Sequence, residues 1–460
     1  MDFWNENTLK EALGNARFYN FPENWSSNGM ILWQENYCSG NMILVRTEGQ
    51  TKGVLPHRLA GIIETSSALV ANKPQELFKY NKPIVELVDG NGDSLIKMAR
   101  YIRKHFNGKV VGVTGSSGKS TTTQMLVDIF SSKYKVDSNI ESKANTTWGI
   151  AWNMTCFDPD GDYWVIETSL GGGMSKNAAI TKPDYGIIMN VAPVHLTGGL
   201  TLEGIADEKA KIFNGMSEGR PAIIYEGTQF FDKIKKAAEF KNLKIITFGE
   251  SENADIRVIC DGENKFVIDG KTYVLNSEFV GKHILLDMAA ALAVVNLEGF
   301  DIEEAISILR KFKTLEGRGE TFDARLEDGR NITVVDEAYN ANPLSMSAAI
   351  TSFGVKYQDK NKILVIGDMA ECGEDSEKYH REIAVSIDKI CPKKVLLCGA
   401  DIKYLYEEIK EKYDVKLYSE IDELKVALYQ KMEEGDCILI KASHSGKLYK
   451  IVSFLKKYII

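Results

Sequence analysis

The 460-residue chain lacks the features that mark membrane, secreted and nucleic-acid-binding proteins. No apolar run approaches about 18 residues, which argues against a transmembrane helix, and the first residues carry no apolar core of a signal peptide. The seven cysteines show no C-x-x-C spacing, a distribution typical of free thiols in a reducing cytoplasm. Basic residues are not in excess: the formal net charge is −8, which argues against nucleic acid as the main partner. We therefore expect a cytoplasmic globular protein with no transmembrane segment.

The most informative segment is 110–124, VVGVTGSSGKSTTTQ, where an apolar β-branched run leads into a glycine-flanked loop and a threonine-rich helix start. Such a loop turns tightly enough for its N–H groups to converge on phosphate oxygens at a helix N-terminus. The lysine after the second glycine reaches the β- and γ-phosphates, and the next hydroxyl can ligate Mg²⁺. The motif is the shortened T-G-x-x-G-K-S, with Val113 where the full P-loop has glycine.

The alternative is a glycine- and serine-rich turn that binds no ligand. Because lysine and serine follow the second glycine in register between a strand and a helix, we favour binding of a nucleoside triphosphate. The residues predicted to contact it are Gly115, Ser116, Ser117, Gly118, Lys119, Ser120 and Thr121.

The length of the chain predicts about three domains, because one hydrophobic core does not extend over so many residues. Residues 1–107 have the pattern of a small mixed α/β domain that we interpret as a substrate-recognition domain. Residues 108–316 and 317–460 alternate apolar runs with helical patterns, which predicts parallel βαβ units. The glycine-bearing segment 314–319 marks the second boundary. The predicted fold class is therefore α/β, with a central P-loop ATPase-type parallel sheet and a C-terminal Rossmann-like domain.

Two polar residues directly follow predicted strands of the central domain. Glu167 ends the run 162–167 and His195 ends the run 189–195. Ligands of open α/β sheets bind at the carboxyl ends of the strands, and a carboxylate there is suited to contact Mg²⁺. Each of these residues also has an alternative interpretation without a functional role. Glu167 has the pattern of a solvated glutamate at a strand end, and a lone histidine such as His195 is more often structural. Lys209, taken by itself, is typical of a helix surface.

The P-loop, Glu167, His195 and Lys209 stand in the order and spacing of the Mur ligases, which the chain resembles from about residue 108 onward. Mur ligases are ATP-dependent enzymes that form amide bonds in peptidoglycan synthesis. Two strings, VDEAYNANPLSM at 335–346 and IGDMAECGEDS at 366–376, are similar to the MurF branch, which adds D-alanyl-D-alanine to UDP-N-acetylmuramoyl-tripeptide. The resemblance implies a ligase that works through an acyl phosphate and uses ATP and two Mg²⁺ ions.

The resemblance also implies roles for single residues. Ser120 and Glu167 would hold one Mg²⁺ and His195 the second, with Lys209 carbamylated to bridge the metals. Catalytic roles are implied for Lys119, Lys209 and His195. Contacts with ATP are implied for His283, Arg318, Asp336 or its neighbour Glu337, and Asn340, and contacts with the other substrates for Asn145, Asn342 and Lys441.

The sequence departs from the family at two places. The motif G-x-H-N-x-x-N is GKHILLD at 281–287, so adenine contacts are left to His283 and to Asp287, which can accept a hydrogen bond from an exocyclic amine. In the N-terminal region, QENYCSGNM at 34–42 and KGV at 52–54 replace segments that hold the uridine nucleotide in the family.

Three hypotheses therefore remain: the MurF reaction, a MurF-like ligase for a different carboxylate and amine, and a nucleotide-binding regulatory protein that does not ligate. For the first two we expect small nucleotide and peptide-like substrates, and we expect a monomer.

Overall fold

The computed structural model describes residues 3–48, 50–88, 91–194, 196, 199–261, 263–276 and 281–459, with only the backbone at 91 and 92. Within these residues the strands form three larger sheets and one two-stranded ribbon. No helix of the described part of the chain is both long and apolar enough to span a membrane.

The N-terminal region forms a five-stranded sheet beside the two-stranded ribbon. Its strands are β1 (Trp4–Asn5), β2 (Arg17–Tyr19), β3 (Ser26–Ser27), β4 (Met30–Ile31), β5 (Met42–Leu44), β6 (Ala68–Ala71) and β7 (Ile84–Glu86), and its helices are α1 (Glu6–Leu13) and α2 (Asn91–His105). The sheet order is β2-β7-β6-β5-β4, parallel except at β2, and β1 pairs with β3. The parallel strands β4 to β7 are short and mostly buried and apolar, as expected for parallel strands that are covered on both faces.

The central region is built on a nine-stranded sheet in the order β16-β15-β14-β13-β12-β11-β8-β10-β9. The pairs from β9 to β14 are parallel, and β14 to β16 form an antiparallel extension. The strands are β8 (Lys109–Thr114), β9 (Val136–Ser138), β10 (Tyr163–Glu167), β11 (Tyr185–Ile188), β12 (Pro221–Tyr225), β13 (Lys244–Gly249), β14 (Ile256–Cys260), β15 (Asn264–Ile268) and β16 (Lys271–Val274). The helices are α3 (Lys119–Ser131), α4 (Thr147–Cys156), α5 (Met174–Thr181), α6 (Leu202–Ala210), α7 (Phe231–Phe240), α8 (Lys282–Leu297) and α9 (Ile302–Leu309).

The C-terminal region forms a six-stranded sheet in the order β17-β18-β22-β19-β20-β21, parallel except at the edge strand β17. Its strands are β17 (Glu320–Arg325), β18 (Asn331–Glu337), β19 (Lys362–Gly367), β20 (Lys394–Cys398), β21 (Val415–Tyr418) and β22 (Cys437–Lys441). Its helices are α10 (Pro343–Lys356), α11 (Ser376–Glu382), α12 (Ala384–Ile390), α13 (Lys403–Ile409), α14 (Ile421–Lys431) and α15 (Tyr449–Leu455).

Helix α8 packs inside the central core and not on its surface. Eleven of its 16 residues are buried, and ten of these belong to a hydrophobic cluster with α3, α9 and one face of the sheet. A helix that is apolar on nearly all sides is expected to be buried in this way. A charged residue on such a helix is therefore unusual, and Asp287 is one, with 6% of its surface exposed.

The opposite face of the central sheet is covered by helices from both sides of the predicted boundary at residue 107. Leu95 and Ile102 of α2 share a core cluster with Ile150 of α4 and Trp164 of β10. The ring of Phe106, just after α2, stacks on Trp164 with the ring centroids 3.8 Å apart. The N-terminal and central regions are thus packed together, and the boundaries at 107 and 316 remain predictions.

Candidate active site

The predicted phosphate-binding loop connects β8 to α3. Gly118 has φ +81°, a left-handed conformation that side-chain-bearing residues rarely adopt. A Cβ atom at this position would also lie 2.3 Å from Asp287 Oδ1 on α8. Glycine is therefore required here both for the turn and for the close approach of α8.

The end of β11 holds the loop in shape. Asn190 Oδ1 accepts hydrogen bonds from the N–H groups of Ser116 (3.1 Å) and Ser117 (2.9 Å). Ser116 Oγ donates to the Ala192 carbonyl at 3.1 Å and accepts from the Ala192 N–H at 2.9 Å. Sequence reasoning missed Asn190. The sequence did offer one indication of its role, because Asn190 is a polar residue just after β11, the strand that pairs with β8.

Lys119 lies folded back on the loop. Its Nζ donates to the Gly115 carbonyl at 2.9 Å. Burial lowers the pKa of Lys119, and the negative charge of Glu167 opposes that shift. Within the part of the chain that the structure describes, the ammonium group has one hydrogen-bond partner, a neutral carbonyl, and an anionic phosphate oxygen would bind it more strongly.

Glu167 connects the loop to the neighbouring strands. Its carboxylate accepts hydrogen bonds from Ser120 Oγ at 2.5 Å and from Asn145 Nδ2 at 2.6 Å, and the residue is 5% exposed. Asn139 fixes its backbone, donating to the Glu167 carbonyl (2.9 Å) and accepting from the Glu167 N–H (2.8 Å). Three residues predicted from separate motifs therefore meet in one cluster, and the solvated-glutamate alternative is wrong.

Lys209 lies on α6 and is 2% exposed, so the surface-lysine alternative is also wrong. Burial lowers the pKa of Lys209 well below its ordinary value, and the positive charge of Lys119 adds to the shift. None of the hydrogen bonds or ion pairs among the described residues involves Lys209 Nζ. A buried amine without a partner is costly, which suits a group that is modified or that meets a ligand. The predicted metal ligand His195 lies outside the described residues.

A cleft of about 1100 Å³ lies between the loop, the start of α8 and the C-terminal region. Most of the predicted site residues line it: Ser116, Ser117, Gly118, Lys119, Thr121, Asn145, Glu167, His283, Arg318, Asn340, Asn342 and Lys441. The sequence motifs, which are spread over more than 300 positions, are thus brought to one cavity.

Asp336 and Glu337 have different surroundings at the end of β18. Both Asp336 carboxylate oxygens accept backbone N–H groups, from Gly317 and Ala338, each at 3.0 Å, and the residue is 2% exposed. Glu337 instead faces the cleft and forms an ion pair with the buried Lys441, at 3.1 Å. Of the two alternatives for a nucleotide contact, the structure places Glu337 at the cavity and Asp336 behind it.

Arg318 and His283 face the same cavity. The Arg318 guanidinium lies over the Tyr339 ring, 4.0 Å from its centroid, and this contact orients it. Burial lowers the pKa of His283, the charge of Glu337 opposes this, and Lys441 adds to it. His283 is therefore a neutral ring near pH 7, able to donate or accept a hydrogen bond.

Asn342 and the string at 366–376 contribute mainly to structure. Asn342 caps α10, with its side chain accepting from the Ser345 N–H at 2.9 Å. Asp368 accepts three backbone N–H groups, from Ala400, Asp401 and Ile402, at 2.8 to 3.1 Å. Through Asp368, the segment 366–376 therefore stabilises the loop that follows β20.

The C-terminal region touches the central one beside the cleft. The Leu196 N–H donates to the Glu371 carbonyl at 3.0 Å, and a Cβ at Gly373 would lie 2.9 Å from Leu196 Cβ.

Comparisons with known proteins agree with this geometry. The Mur ligase middle domain matches residues 113–295, and the Mur ligase glutamate ligase domain matches residues 317–444. The chain is 28% identical to the UDP-N-acetylmuramoyl-tripeptide--D-alanyl-D-alanine ligase of Rickettsia prowazekii, over 98% of this chain and 99% of that protein.

Solved structures of MurF share the fold. The enzyme from Acinetobacter baumannii superposes with a TM-score of 0.82 over 99% of both chains at 19% identity. MurF from Thermotoga maritima, determined in complex with ADP, gives 0.76 at 22% identity over 93% of this chain and 97% of that one. At such identities the superpositions establish the fold alone, and they confirm the predicted three-domain α/β architecture. Taken with the two domain matches and the full-length relative, they lead to one conclusion: the chain belongs to the Mur ligase family and is an ATP-dependent, ADP-forming ligase.

Proposed function

We propose that this protein carries out the MurF reaction, joining D-alanyl-D-alanine to UDP-N-acetylmuramoyl-tripeptide. The observation that carries the proposal is the cluster of Ser120, Asn145 and Glu167 beside Lys119 in the cleft. That cluster supports phosphoryl transfer to a carboxylate, and the name of the full-length relative supplies the two substrates.

The donor atoms of this cluster suit Mg²⁺. A carboxylate, a hydroxyl and an amide oxygen are the hard oxygen ligands that Mg²⁺ prefers, and Glu167 is held rigidly by Asn139. Ser120 and Glu167 would hold one ion, and His195 with a carbamylated Lys209 would hold a second. When bound, Mg²⁺ supplies charge neutralisation at the transferring phosphoryl group.

The side chains of the chain itself have separable tasks in this reaction. Lys119 exchanges the Gly115 carbonyl for the β- and γ-phosphate oxygens of ATP. The substrate carboxylate attacks the γ-phosphorus, the bond to the β–γ bridging oxygen breaks, and ADP leaves with an acyl phosphate formed. The amine then attacks the acyl carbon, loses a proton, and phosphate is expelled as the amide forms. Arg318 and Glu337, brought by the C-terminal region, would complete the cleft and exclude water from the acyl phosphate.

A panel of substrates tests the proposal. Phosphate release is measured with ATP, Mg²⁺ and pairs of carboxylate and amine, including UDP-N-acetylmuramoyl-tripeptide with D-alanyl-D-alanine. Turnover with that pair alone is the expected result. Turnover with a different pair would instead support a MurF-like ligase of other specificity, which the altered segments 34–42 and 52–54 favour. If no pair gives turnover while ATP still binds, the chain is a regulatory protein.

Glu167→Gln tests the metal assignment separately. We expect the Mg²⁺ concentration for half-maximal phosphate release to rise at least about tenfold, because an anionic ligand is lost. Glu141→Gln, which removes an exposed carboxylate from the same region, is the control and should keep the wild-type Mg²⁺ requirement. An unchanged requirement in Glu167→Gln would remove this carboxylate from the metal site.

We also propose that the enzyme acts as a cytoplasmic monomer.

A further inference from the structure

The ring of Tyr339 is contacted by cations from two parts of the chain. Tyr339 follows β18, is half-buried and lines the cleft. The Arg318 guanidinium carbon lies 4.0 Å from its ring centroid, and Lys143 Nζ, which comes from the central region, lies 5.6 Å from it. Both distances are within the range of about 6 Å over which a cation is attracted to the face of an aromatic ring. Arg318 is an expected ATP contact, whereas neither Tyr339 nor Lys143 has a part in the steps of the proposed reaction.

The backbone on both sides of Arg318 is fixed to the end of β18. The Gly317 N–H donates to Asp336 Oδ2 at 3.0 Å, and the Tyr339 N–H donates to the Gly317 carbonyl at 3.1 Å. The Gly319 N–H donates to the Asp336 carbonyl at 2.8 Å. A Cβ at Gly317, where φ is +73°, would lie 2.8 Å from Tyr339 Cβ, so only glycine allows the two backbones to approach so closely. With the backbone held in this way, the ring of Tyr339 is left to set the direction of the long Arg318 side chain.

Lys143 belongs to the loop that holds the Glu167 cluster. Two residues further on, Asn145 donates to Glu167 Oε1 at 2.6 Å. Lys143 itself has φ +54°, a left-handed conformation that residues other than glycine seldom adopt, and its N–H donates to the Ile140 carbonyl at 3.2 Å. Such strained positions persist where the surrounding structure fixes them, and they are frequent at functional sites. The loop thus presents Lys143 to Tyr339 on one side and Asn145 to the cluster on the other.

A second group beside Arg318 also faces Lys143. Glu316 forms an ion pair with Lys456 at 2.9 Å. The pKa of Glu316 is lowered first by its hydrogen bond and charge interaction with Lys456; burial opposes the shift, and the positive charge of Lys143 adds to it. Contacts of this kind between exposed side chains contribute little to stability. What they do provide is a fixed arrangement of Lys143, Tyr339 and Arg318 at the edge of the cleft.

We propose that Tyr339 is a positioning residue: its ring presents the Arg318 guanidinium to ATP, and Lys143 in turn holds the ring. The cation from the segment between the regions and the loop that carries Asn145 thereby act as one unit. This inference rests on the proposed function, because it requires Arg318 to contact ATP. The competing interpretation is that the Tyr339 ring contacts the nucleotide itself.

Calorimetry with the β,γ-imido analogue of ATP and Mg²⁺ tests the link between Tyr339 and Arg318. Arg318→Ala should raise the Kd of the analogue by about tenfold or more, because a charge-assisted contact is lost. Tyr339→Leu, which keeps an apolar side chain but removes the ring, should raise it at least about threefold. The double variant should bind within about twofold of Arg318→Ala alone, since residues that act through one contact do not add. Tyr339→Phe keeps the ring and should bind like wild type.

A second cycle tests the link between Lys143 and the ring. Lys143→Ala should raise the Kd by about two- to fivefold in the wild-type background, and it should have no further effect in Tyr339→Leu. Lys143→Arg keeps a cation and should bind like wild type. Lys182→Ala is the matched control, because Lys182 is an exposed lysine of the central region that is also left-handed, with φ +43°, and does not line the cleft. It should keep the wild-type Kd.

Each result decides for or against the proposal. Additive losses from Arg318→Ala and Tyr339→Leu would overturn it, since they would show that the ring contacts the nucleotide independently. A loss in Lys143→Ala that persists in full in Tyr339→Leu would overturn it as well, and so would an Arg318→Ala variant with the wild-type Kd. If Tyr339→Leu does not fold, Lys143→Ala combined with Arg318→Ala decides, because the proposal requires that pair to be non-additive. The calorimetry uses neither the peptide substrate nor the amine, so failure of the substrate panel and failure of these cycles are separate results.

Discussion

Replacing Lys119 with alanine should abolish release of ADP. In the structure the ammonium group is partnered only by the Gly115 carbonyl among the described residues, so it is free to transfer to the phosphates. A cation that meets charge developing on the transferred phosphoryl group typically contributes about 10²-fold or more to the rate. We therefore expect turnover of Lys119→Ala to fall by at least about 10²-fold in a coupled ADP assay.

The control for this variant is Lys135→Ala, which removes an exposed lysine of the same region and should leave the rate unchanged. The stability of Lys119→Ala should be close to wild type, because the lost hydrogen bond contributes only about 1 kcal/mol. A folded Lys119→Ala protein that retains more than about a tenth of wild-type turnover would contradict the assignment of the loop.

Lys209→Ala should be inactive and should recover part of its activity when short carboxylic acids are added. Burial and the nearby Lys119 lower the pKa of the Lys209 amine well below its ordinary value, which favours the neutral form that reacts with carbon dioxide. The resulting carbamate would replace a buried amine by an anionic group suited to Mg²⁺. Formate or acetate can enter the space left by the alanine variant and supply the missing carboxylate.

Lys211→Ala serves as the matched control, because Lys211 lies two residues further on, is 44% exposed and pairs with Glu208. It should retain wild-type activity and show no response to added acids. Carbon-13 NMR of wild type in labelled bicarbonate gives an independent measurement, with a carbamate signal expected in wild type and absent from Lys209→Ala. Inactivity without rescue and without that signal would assign Lys209 a purely structural role.

Much of the architecture was accessible from local patterns. The apolar runs at 185–190, 221–225 and 362–366 have the composition of strands and form β11, β12 and β19, and the helical pattern at 282–297 coincides with α8. These elements are buried on both sides, so their composition alone distinguishes them from loops. The antiparallel extension β14–β16 was not predicted, because its strands alternate exposed and buried residues at the edge of the sheet and carry a weaker signal.

The site was predicted less completely than the fold. The loop, Glu167 and Asn145 were identified in sequence and meet in the structure, because the carboxyl ends of neighbouring parallel strands converge. Asn139 and Asn190 were missed, since each acts on the backbone of a distant segment; for Asn190 the position after β11 was the one available signal.

The sequence by itself therefore determined the chemistry of the nucleotide loop. Glycine, lysine and serine in that order at a strand–helix turn are used mainly to bind phosphates. What required the folded chain was the state of the ionisable groups. Lys209 resembles any surface lysine in sequence, and Asp287 resembles any helical aspartate. Only the packing of α6 and α8 removes water from these two side chains, and the loss of solvation lowers the pKa of the amine and raises the pKa of the acid.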